Sequence, residues 1–477
     1  MKISKLPLRL YASAKAVISL YLTLPGTDRI VHVIQRLEIM NQQDVDESMK
    51  NIIREFGNRH RNIEQIFLNH FHRVEIQYGK DLSHFSPQKK LLLGAFFTKE
   101  YSIEAAALFN PSIVPHPDQS GLKGGEKRFV MSLRATGEGH ISSIVFQTGI
   151  IDMEGNINLD VLSEYFTCLQ KKPDTLYEKK FIQKYAATIP GFNKAILDAL
   201  PGTFTEAEAK NIIKASPGRD QSAVNSARIL EEMMDMNYEL EDSSGLPINE
   251  NVIFPSARGE NMGMEDVRLV KFEDGGQACY YGTYTAYNGR QIRTQLIETV
   301  DFKKFKIRTL YGLAISDKGM ALFPEKVNGK FVMISRQGGE NINIMFSEDL
   351  YYWEKFQPLM EPRFAWELLQ LGNCGSPIRT AKGWLLLTHG VGAMRKYVIS
   401  AILLDLSDPT KILGRLERPL IEADESEREG YVPNVVYTCG FMQHSELLII
   451  PYAVSDSATG FVTIPLKDVL NGFNLKS

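Results

Sequence analysis

The pattern of apolar positions changes near residue 127 of the chain. Upstream, apolar residues recur every three or four positions, as in Val45, Met49, Ile52 and Phe56, which is the period of an amphipathic helix. Downstream, apolar and polar residues alternate in short runs, which is the period of a β-strand. The sequence therefore predicts a helical N-terminal region over 1–105 and a mainly β region over 106–475.

The β region repeats one unit, made of a polar turn, an aromatic-rich strand, a short link, a second strand and a turn with Asp. The copies are EKRFVMSLRATGEGHISSIVFQTGIID, QACYYGTYTAYNGRQIRTQLIETVDFKKF, NGKFVMISRQGGENINIMFSEDLYYW, AKGWLLLTHGVGAMRKYVISAILLDLSDP and SELLIIPYAVSDSATGFVTIPLKDVL. Repeated antiparallel units are typical of a β-propeller, whose radial closure protects the sheet edges. We therefore predict a five-bladed β-propeller, because a β-sandwich would explain the strands but not the repeated unit.

A helical segment interrupts the repeats at about 152–245. Thr205 and Glu208 form the pattern of a capping box ahead of AKNIIKA, and a helical stripe of apolar residues runs from Val224 to Tyr238. We predict a helical insertion between the first and second blades. Together with the N-terminal helices, it is expected either to cover a binding site or to mediate assembly into a homo-oligomer.

Composition narrows the classes of partner and compartment. Among the 477 residues, 44% are hydrophobic and 23% are charged, which is ordinary globular usage, and the net charge of -3 offers no basic field for nucleic acid. The early apolar run is interrupted by Lys15 and lacks a small-residue cleavage site, and no stretch reaches the roughly 20 apolar residues of a membrane span. We expect a cytoplasmic protein with no nucleic-acid or membrane partner.

Polar stretches come directly before the repeated units. They are LFNPSIV, RGENMGMEDVRLV, SDKGMALFPEK, LLQLGNCGSPI and EREGYVPNVVY. In a propeller the innermost strand of each blade lines the central axis, so side chains from different blades converge. Polar groups at inward positions are costly to bury without a purpose, and these stretches therefore predict a ligand-binding funnel.

Several of these segments resemble the motif series of glycoside hydrolase family 130. They are, in order over about residues 108–470, GMEDVR, YTAYNG, LFPEKVNGK, THGVG, LLDLSDP and EGYVPNVV. The resemblance implies a five-bladed propeller and inverting action on β-mannosides. Most members of that family are phosphorylases that release α-mannose 1-phosphate, and a minority are β-1,2-mannosidases. The two helical regions lie outside the common catalytic core, which indicates a divergent member.

The resemblance implies that Asp266, in GMEDVR, is the catalytic acid. Cleavage of a glycosidic bond needs a proton on the departing oxygen, which family members are thought to deliver through a sugar hydroxyl. The alternative for Asp266 is a turn carboxylate paired with Arg268. Val267 stands where the family usually has Pro, which we interpret as a change of backbone that leaves the chemistry in place.

A phosphate nucleophile would have to be held by cations and hydrogen-bond donors. The resemblance implies a phosphate-binding set of Arg336, His389, Tyr397, Lys318 and Gln370. Gln370 stands where the phosphorylases usually have Lys, so it can donate a hydrogen bond but carries no charge. The alternatives are a solvated turn lysine at Lys318, an ion pair of Arg336 with Glu325, and a core histidine at His389.

The resemblance also implies a sugar-binding set of Asn110, Ser112, Arg134, Tyr287, Asn288, Asp456 and Glu427. Asp456 is expected to hold mannose hydroxyls, with a blade-turn aspartate as the alternative. Tyr287 and Asn288 would form the rim beside the acid. Glu427 lies on the nucleophile side, where a hydrolase would need a carboxylate base.

These residues predict inverting phosphorolysis of β-mannosides to α-mannose 1-phosphate, acting on a mannose-containing oligosaccharide with inorganic phosphate as co-substrate. No metal site or organic cofactor is predicted, because the His, Cys and carboxylate residues lack ligand spacing. Two alternatives stay open: an inverting β-mannosidase of the same fold, and a mannoside-binding propeller without catalysis. The dependence of activity on phosphate distinguishes the phosphorylase from the mannosidase, and binding of mannosides without turnover would identify the non-catalytic protein.

Overall fold

In the computed structural model the described residues are 1–161, 163–215, 221–241 and 245–473. They form two compact units. The smaller unit is Ser13–Ala105 with Leu162–Cys168, and the larger unit is Met1–Ala12, Ala106–Val161 and Leu169–Ser477. The last residues of the predicted β region, 474 and 475, lie outside the described residues.

The structure is rich in β-strands. In chain order the strands are β1 (Ser4–Tyr11), β2 (Val17–Tyr21), β3 (Thr98–Ser102), β4 (Ala107–Pro115), β5 (Lys127–Thr136), β6 (Ser142–Ile151), β7 (Ile157–Leu159), β8 (Thr167–Cys168), β9 (Gln170–Lys171), β10 (Tyr177–Glu178), β11 (Thr203–Phe204), β12 (Tyr238–Glu241), β13 (Asn251–Ile253), β14 (Gly263–Asp274), β15 (Gln277–Tyr287), β16 (Ile292–Thr299), β17 (Lys304–Thr309), β18 (Ala321–Leu322), β19 (Phe331–Ser335), β20 (Ile342–Ser347), β21 (Phe356–Met360), β22 (Gln370–Asn373), β23 (Ile378–Thr380), β24 (Gly383–Val391), β25 (Tyr397–Leu404), β26 (Ile412–Arg415), β27 (Ile421–Glu422), β28 (Val436–Tyr437), β29 (Met442–His444), β30 (Leu447–Val454) and β31 (Ala458–Pro465).

Helices occupy the smaller unit, the insertion and the C-terminal end. They are α1 (Thr27–Ile39), α2 (Gln42–Phe56), α3 (Ile63–Tyr78), α4 (Pro87–Phe96), α5 (Lys179–Ala186), α6 (Ala195–Asp198), α7 (Glu206–Ala215), α8 (Gln221–Met236) and α9 (Leu466–Gly472). Within the described ranges, none of these helices is long and apolar enough to cross a membrane.

The smaller unit is largely helical and includes the antiparallel pair of strands β2 and β3. The apolar stripe predicted from Val45, Met49, Ile52 and Phe56 lies on α2 and packs into the core of this unit, so its helical prediction is confirmed. Helix α4 begins where the Ser86 side chain accepts a hydrogen bond from the backbone N–H of Lys89, which satisfies one of the free donors of the first turn.

The first residues differ from the predicted helical region 1–105. Strand β1 belongs to the larger unit and pairs antiparallel with β31, with Ser4 opposite Thr463. The segment alternates Leu6, Leu8 and Leu10 with Pro and charged residues, which is the period of a strand. A strand at one end of the chain therefore completes a sheet formed by the other end.

Each predicted repeat unit folds as an antiparallel pair of strands. The pairs are β5–β6, β15–β16, β19–β20, β24–β25 and β30–β31. Each pair is extended on one side by one or two preceding strands. This gives five strand groups, numbered 1 to 5 in chain order, that start at β4, β14, β18, β22 and β28. None of the sheets in the described residues closes on itself, and groups 1 and 2 are joined by one parallel bridge between Gly263 and Ser142.

Apolar cores lie between consecutive strand groups. Phe323 and Ile334 of group 3 pack with Trp384 and Leu386 of group 4, and similar clusters join groups 1 and 2, groups 2 and 3, and groups 4 and 5. A further cluster contains Phe109 of group 1 together with Tyr437 and Ala453 of group 5. Burial of these faces therefore connects each group to the next and the last to the first.

The insertion carries its own apolar core, in which Ile182, Leu230 and Met233 are fully buried. Its predicted capping box is confirmed: Thr205 Oγ1 accepts from Glu208 N at 3.3 Å, and Glu208 Oε2 accepts from Thr205 N at 2.7 Å. The segment is not entirely helical, because β12 pairs with β17 and β9 and so extends group 2.

Candidate functional site

Two β-bulges direct polar side chains toward one point. The pairing of β14 shifts between Glu265 and Arg268, and the pairing of β4 shifts between Phe109 and Ser112. Asp266 in the first bulge has a φ of 58° and Asn110 in the second has a φ of 50°. Asn and Asp tolerate this left-handed region better than most residues, and bulges re-aim side chains, so the local sequence suits the geometry.

The Asp266 carboxylate lies among donors and cations. Its Oδ1 accepts hydrogen bonds from Asn110 Nδ2 at 2.7 Å and from Arg134 Nη1 at 3.3 Å. Burial alone would raise the pKa of Asp266, but the charges of Arg134, Arg268 and Lys318 outweigh it and lower the pKa to about 2. Without a ligand, Asp266 is therefore ionised at neutral pH.

Glu265 holds the two cations that flank the acid. Its Oε1 accepts from Arg134 Nη2 at 2.9 Å, and its Oε2 lies 3.8 Å from Lys318 Nζ. Arg134 is also oriented by Nε, which donates to Ser142 Oγ at 2.8 Å. Lys318 and Arg134 are therefore positioned by the residue that precedes Asp266 in the chain.

Asp456 is a second carboxylate in the same electrostatic environment. Burial and the negative charge of Asp266 raise its pKa to about 7, against the opposing effect of Arg134 and Arg395. Its backbone is also left-handed, with a φ of 50°. Two carboxylates whose environments shift their pKa values in opposite directions can differ in protonation at one pH, which is the condition for acid chemistry beside an ionised group.

Arg268 is buried and joins the acid to the rest of the cluster. Its Nη1 donates to the backbone oxygen of Asp266 at 2.9 Å, its Nη2 to Tyr437 Oη at 2.5 Å and its Nε to Asn373 Oδ1 at 3.1 Å. The hydrogen bond of Arg268 to Asp266 goes to the main chain and leaves the carboxylate to Asn110 and Arg134. In the part of the chain that the structure describes, Arg268 therefore makes no hydrogen bond to the Asp266 carboxylate, unlike in the alternative of a turn carboxylate paired with Arg268.

Asn373 connects two of the predicted phosphate-binding positions. Its Nδ2 donates to the backbone oxygen of Gly319 at 2.5 Å, next to Lys318. Its own backbone oxygen lies 3.3 Å from His389 Nδ1. Because a carbonyl oxygen only accepts, Nδ1 of His389 carries the proton in this arrangement.

His389 lies between Arg336 and two tyrosines. Its Nε2 is 3.5 Å from Arg336 Nη1, and its ring stacks on Tyr397 and meets Tyr437 edge to face at centroid distances of 5.7 and 4.9 Å. Burial, followed by the charges of Arg336 and Arg268, holds the pKa of His389 well below its usual value. The ring is therefore neutral, with Nε2 available as an acceptor for Arg336.

Arg336 has donor capacity that the protein does not use. Its Nε is buried and has no hydrogen-bond partner among the described residues. Gly319 lies beside it: a Cβ at that position would be 3.9 Å from Arg336 Nε and 3.8 Å from Arg268 Nη2. An unpaired buried donor next to a second guanidinium is the arrangement expected where an anion binds.

Three predicted site residues have mainly structural contacts. Ser112 is fully buried, and its Oγ accepts from Leu269 N at 2.9 Å, which ties β4 to β14. Asn288 Oδ1 accepts from the backbone N–H groups of Arg290 and Gln291 and so caps the β15–β16 turn. Tyr287, opposite Gly263 in β14, brackets the start of the strand that carries the acid.

Among the residues that the structure describes, no hydrogen bond links Gln370 or Glu427 to the Asp266 cluster. Gln370 begins β22, and within the described residues its side chain makes no hydrogen bond. The buried Glu427 carboxylate binds Lys5 Nζ at 2.5 Å and also contacts Arg9 and Tyr452. These contacts give Glu427 the role of anchoring β1, and they do not support the predicted contact with sugar.

The sequence analysis did not predict that Arg268 connects Asp266 to Asn373 and Tyr437. It also did not single out Asn373, Tyr437, Glu265 or Arg395 as site residues. Asn373 and Tyr437 lie in the polar stretches LLQLGNCGSPI and EREGYVPNVVY, so the sequence marked their segments but not the residues. No group of three or more His, Cys, Asp or Glu side chains that could hold a metal ion is found in the described part of the chain. The four cysteines are free thiols.

A β-rich scaffold brings two carboxylates and a group of cations into one electrostatic environment, which suits acid catalysis beside a bound anion. The match to a family model identifies the class as enzymes that act on glycosides. The chain belongs to glycoside hydrolase family 130, because residues 229–475, just over half of the chain, match the model of that family, described as beta-1,4-mannooligosaccharide phosphorylase. The family assignment from the sequence motifs is thereby confirmed.

The chain is similar to two sequence relatives and to one solved structure. The chain is 35% identical over 214 residues to 1,2-beta-oligomannan phosphorylase of Thermoanaerobacter sp. (strain X514), covering 44% of this chain and 71% of the relative. It is 32% identical over 215 residues to beta-1,2-mannobiose phosphorylase of the same organism, covering 44% and 69%. A solved beta-1,2-mannobiose phosphorylase from Listeria innocua superposes with a TM-score of 0.47 at 19% identity, covering 77% of this chain and 92% of that one.

Proposed function

We propose that this enzyme catalyses inverting phosphorolysis of β-mannosides and releases α-mannose 1-phosphate. The observation that carries the proposal is the meeting of Asp266 with Arg134, Lys318 and, through Arg268 and Asn373, with Arg336 and His389. These contacts support the proposal, because they connect the residue proposed as the acid with the residues proposed to bind the anion. The names of the two Thermoanaerobacter relatives, both phosphorylases of β-1,2-mannosides, support the same reaction.

The scaffold that we propose is a five-bladed β-propeller. Five antiparallel strand groups follow one another along the chain, and apolar cores join each group to the next and the fifth to the first. A cyclic order of packed sheets is the arrangement of a propeller, in which the first strand of each blade lines the axis. Asn110, Asp266 and Asn373 all lie on such first strands, in β4, β14 and β22.

Phosphate would bind between Arg336 and the cations near Gly319. The unpaired Nε of Arg336 and the Nζ of Lys318 are suited to two of its oxygens, and Tyr397 would offer a hydroxyl. Gln370 would complete the set as a neutral donor. His389 could donate a hydrogen bond to phosphate from Nε2 only after that atom had gained a proton and given up its contact with Arg336. The negative charge of a bound phosphate dianion would favour this protonated ring.

The same dianion explains how an ionised Asp266 can act as an acid. The pKa of Asp266 is low because the positive charges of Arg134, Arg268 and Lys318 act on its carboxylate. A phosphate dianion beside them would offset these charges and raise the pKa of Asp266. The protonated acid would then deliver its proton to the departing glycosidic oxygen through a sugar hydroxyl, as the family resemblance implies. In the same step a phosphate oxygen forms a bond to C1, and the bond between C1 and the glycosidic oxygen breaks. HPO₄²⁻ loses its proton when it becomes mannose 1-phosphate, and this proton replaces the one that Asp266 gave to the leaving group, so the reaction is balanced.

The sugar would be held by the remaining predicted residues. Asn110 and Arg134 fix the orientation of the Asp266 carboxylate, and Asp456 lies in the same field as a partner for mannose hydroxyls. Tyr287 and Asn288 would form the rim, with Ser112 supporting β4 from behind. The β-mannosidase alternative is weakened, because the Glu427 carboxylate that could have served as a base is occupied by Lys5 and Arg9.

The experiment is incubation with β-1,2- and β-1,4-mannobiose, with and without phosphate, followed by ³¹P and ¹H NMR of the products. We expect α-mannose 1-phosphate from at least one disaccharide and no cleavage without phosphate. Free mannose formed at the same rate in both conditions would identify a mannosidase instead. Binding of a mannobiose without turnover would identify a non-catalytic mannoside-binding protein.

A further inference from the structure

A groove in the larger unit runs between the insertion and the β15–β16 turn. Its outer part has a volume of about 440 Å³ and is lined, among others, by Tyr185, Arg228, Glu232, Asn288, Arg290 and Arg293. An inner depression of about 180 Å³ shares Tyr185 and Arg293 with it and continues to Asp317. Because they share lining residues, the two depressions are adjacent, and the outer part alone is within the usual size range of small-molecule sites.

Both parts of the groove reach residues next to the proposed catalytic cluster. Asn288 follows Tyr287, whose backbone oxygen accepts from Met262 N at 3.0 Å at the start of the strand that carries Asp266. Asp317, at the inner end, precedes Lys318, whose Nζ lies 3.8 Å from Glu265 Oε2. The groove therefore begins at the segments that flank the acid and leads away from them toward α5 and α8.

The lining has the chemistry that recognises sugar rings. Tyr185 stacks on Tyr311 at a centroid distance of 5.1 Å, and the part of its ring that lines the groove offers aromatic surface to a pyranose, with Ile189 adding apolar surface. Arg228 and Arg293 both pair with Glu232, the second at 3.6 Å, so they present planar donors with part of their charge neutralised. Such a lining suits a neutral, hydroxyl-rich ligand better than a strongly charged one.

We propose that this groove binds the leaving-group side of a mannooligosaccharide, meaning the sugars beyond the bond that is cleaved. The proposal rests on the proposed function, because it takes the substrate from that reaction. Tyr185, Ile189 and Arg228 precede residue 229, where the match to the family model begins. The insertion thus supplies part of a binding surface that favours longer oligosaccharides, and we expect the insertion to control the chain-length specificity of the enzyme.

The test compares kcat/KM for mannobiose and mannotetraose of the preferred linkage in the full-length protein. The variant is the double substitution Arg228→Ala with Arg290→Ala, which removes two donors of the groove outside the proposed catalytic set. The loss of two guanidinium donors to sugar hydroxyls corresponds to a loss of at least about tenfold for mannotetraose, and mannobiose should change less than about twofold. The matched control is Arg258→Ala, an exposed arginine that pairs with Asp235 on α8 at 3.6 Å and is not part of the groove lining.

The outcomes separate this proposal from the one on which it rests. A wild-type enzyme that phosphorolyses mannobiose, combined with a double variant that loses equally on both substrates or on neither, overturns the groove proposal alone. A wild-type protein that releases no mannose 1-phosphate from any of these substrates overturns the proposed function, and the groove proposal with it. A loss confined to mannotetraose, absent in Arg258→Ala, supports the groove.

Discussion

Asn110 Nδ2 donates to Asp266 Oδ1 at 2.7 Å, and both residues have left-handed backbones in bulges of two different strands, β4 and β14. The hydrogen bond therefore joins two strand groups at the position of the proposed acid. A bulge costs one pair of ladder hydrogen bonds, and here two bulges meet to orient a single carboxylate. This relationship motivates the first prediction.

Replacing Asp266 with Asn should abolish phosphorolysis without unfolding the protein. The variant keeps the shape of the side chain, an oxygen that can accept from Asn110, and a residue type that tolerates a φ of 58°. Loss of a general acid costs about 10²- to 10⁴-fold in rate. The measurement is kcat with phosphate and mannobiose, together with a thermal unfolding curve.

The matched variant Asp266→Ala separates the carboxyl group from the backbone. It should lose as much activity as Asp266→Asn but also lose stability, because alanine is strained at positive φ. A rate for Asp266→Asn within tenfold of wild type would remove Asp266 from the role of acid.

Replacing Arg336 with Ala should raise KM for phosphate more than KM for the mannoside. The buried Nε of Arg336 has no partner among the described residues, so the substitution removes a donor available to an anion. Loss of one charge-assisted hydrogen bond, about 1.5–3 kcal/mol, corresponds to roughly a 10- to 150-fold rise. Initial rates at varied phosphate and at varied mannobiose give the two KM values.

Arg379→Ala serves as the control for Arg336→Ala. Arg379 is an exposed arginine that pairs with Glu325 at 2.6 Å, so its loss should leave both KM values unchanged. The same ion pair shows that Glu325, the alternative partner of Arg336, is engaged elsewhere. Equal effects of the two substitutions on phosphate KM would argue against an anion site at Arg336.

Replacing Arg268 with Lys should lower kcat by a larger factor than it raises KM for phosphate. Arg268 is a positioning residue in our interpretation, because its three donors hold the Asp266 main chain, Tyr437 and Asn373. Lysine keeps the charge but cannot make these three bonds in a planar fork. We expect a kcat loss of about 10- to 100-fold, since small misplacements of catalytic groups have effects of that order.

Tyr437→Phe tests the same network with a smaller change. It removes the oxygen that accepts from Arg268 Nη2 and keeps the aromatic ring beside His389. We expect a smaller kcat loss of the same kind. If Arg268→Lys lowered only the unfolding temperature and left kcat and the pH profile intact, the role of Arg268 would be structural.

The sequence predicted the segments of the site better than its connections. Asp266, Arg336 and His389 were named from motifs, and the structure joins them through Asn373, a residue that no motif singled out. Asn373 acts through contacts with Arg268, 105 positions away, and such long-range pairing leaves no local pattern. The roles of the named residues remain predictions.

The fold shows the same division. The repeated alternation of apolar residues predicted the strand pairs, because side chains of a strand face opposite sides with a period of two. The pairing of β1 with β31 was missed, since it joins Ser4 to Thr463 and no property of either segment identifies its partner. The ion pairs of Glu427 were missed for the same reason, because its partners Lys5 and Arg9 lie at the other end of the chain.

Replacing Asp456 with Asn should change the pH dependence of both stability and activity. The pKa of Asp456 is raised to about 7, chiefly by burial and then by Asp266, from an ordinary value of 3.8. The folded protein therefore binds the proton more tightly than the unfolded chain, and this group makes stability fall as pH rises from about 4 to about 7. Because Asn does not ionise, the Asp456→Asn variant should not show this decrease, and its free energy of unfolding relative to wild type should be higher at pH 8 than at pH 4.5.

Thermal unfolding of wild type and Asp456→Asn at pH 4.5, 6 and 8 measures this difference. The gap between the two proteins should widen with pH and level off above about 7. The profile of kcat/KM for mannobiose should lose one ionisation near 7 in the variant, provided that Asp456 contacts the sugar. A constant stability gap from pH 4.5 to 8 would contradict the raised pKa.

Replacing Glu427 with Gln should reduce stability and leave kcat for phosphorolysis within about twofold of wild type. The Glu427 side chain is 1% exposed and pairs with Lys5 and Arg9, which are 31% and 21% exposed. Removing one partner of a buried ion pair costs about 3 kcal/mol at the lower end of measured values, which applies here because the cations are partly solvated. Urea unfolding at pH 7 gives the change in the free energy of unfolding.

The exposed pair of Glu422 with Lys396 provides the control, because Glu422→Gln should cost less than about 1 kcal/mol. Burial opposes ionisation of Glu427, but Lys5, Tyr452 and Arg9 outweigh it and hold its pKa below the ordinary 4.5. Its contribution is therefore present above that value and lost as pH falls through the folded pKa, so the deficit of the Gln variant should shrink in acid. A large loss of kcat with unchanged stability would instead place Glu427 at the reacting sugar, as a hydrolase base would be.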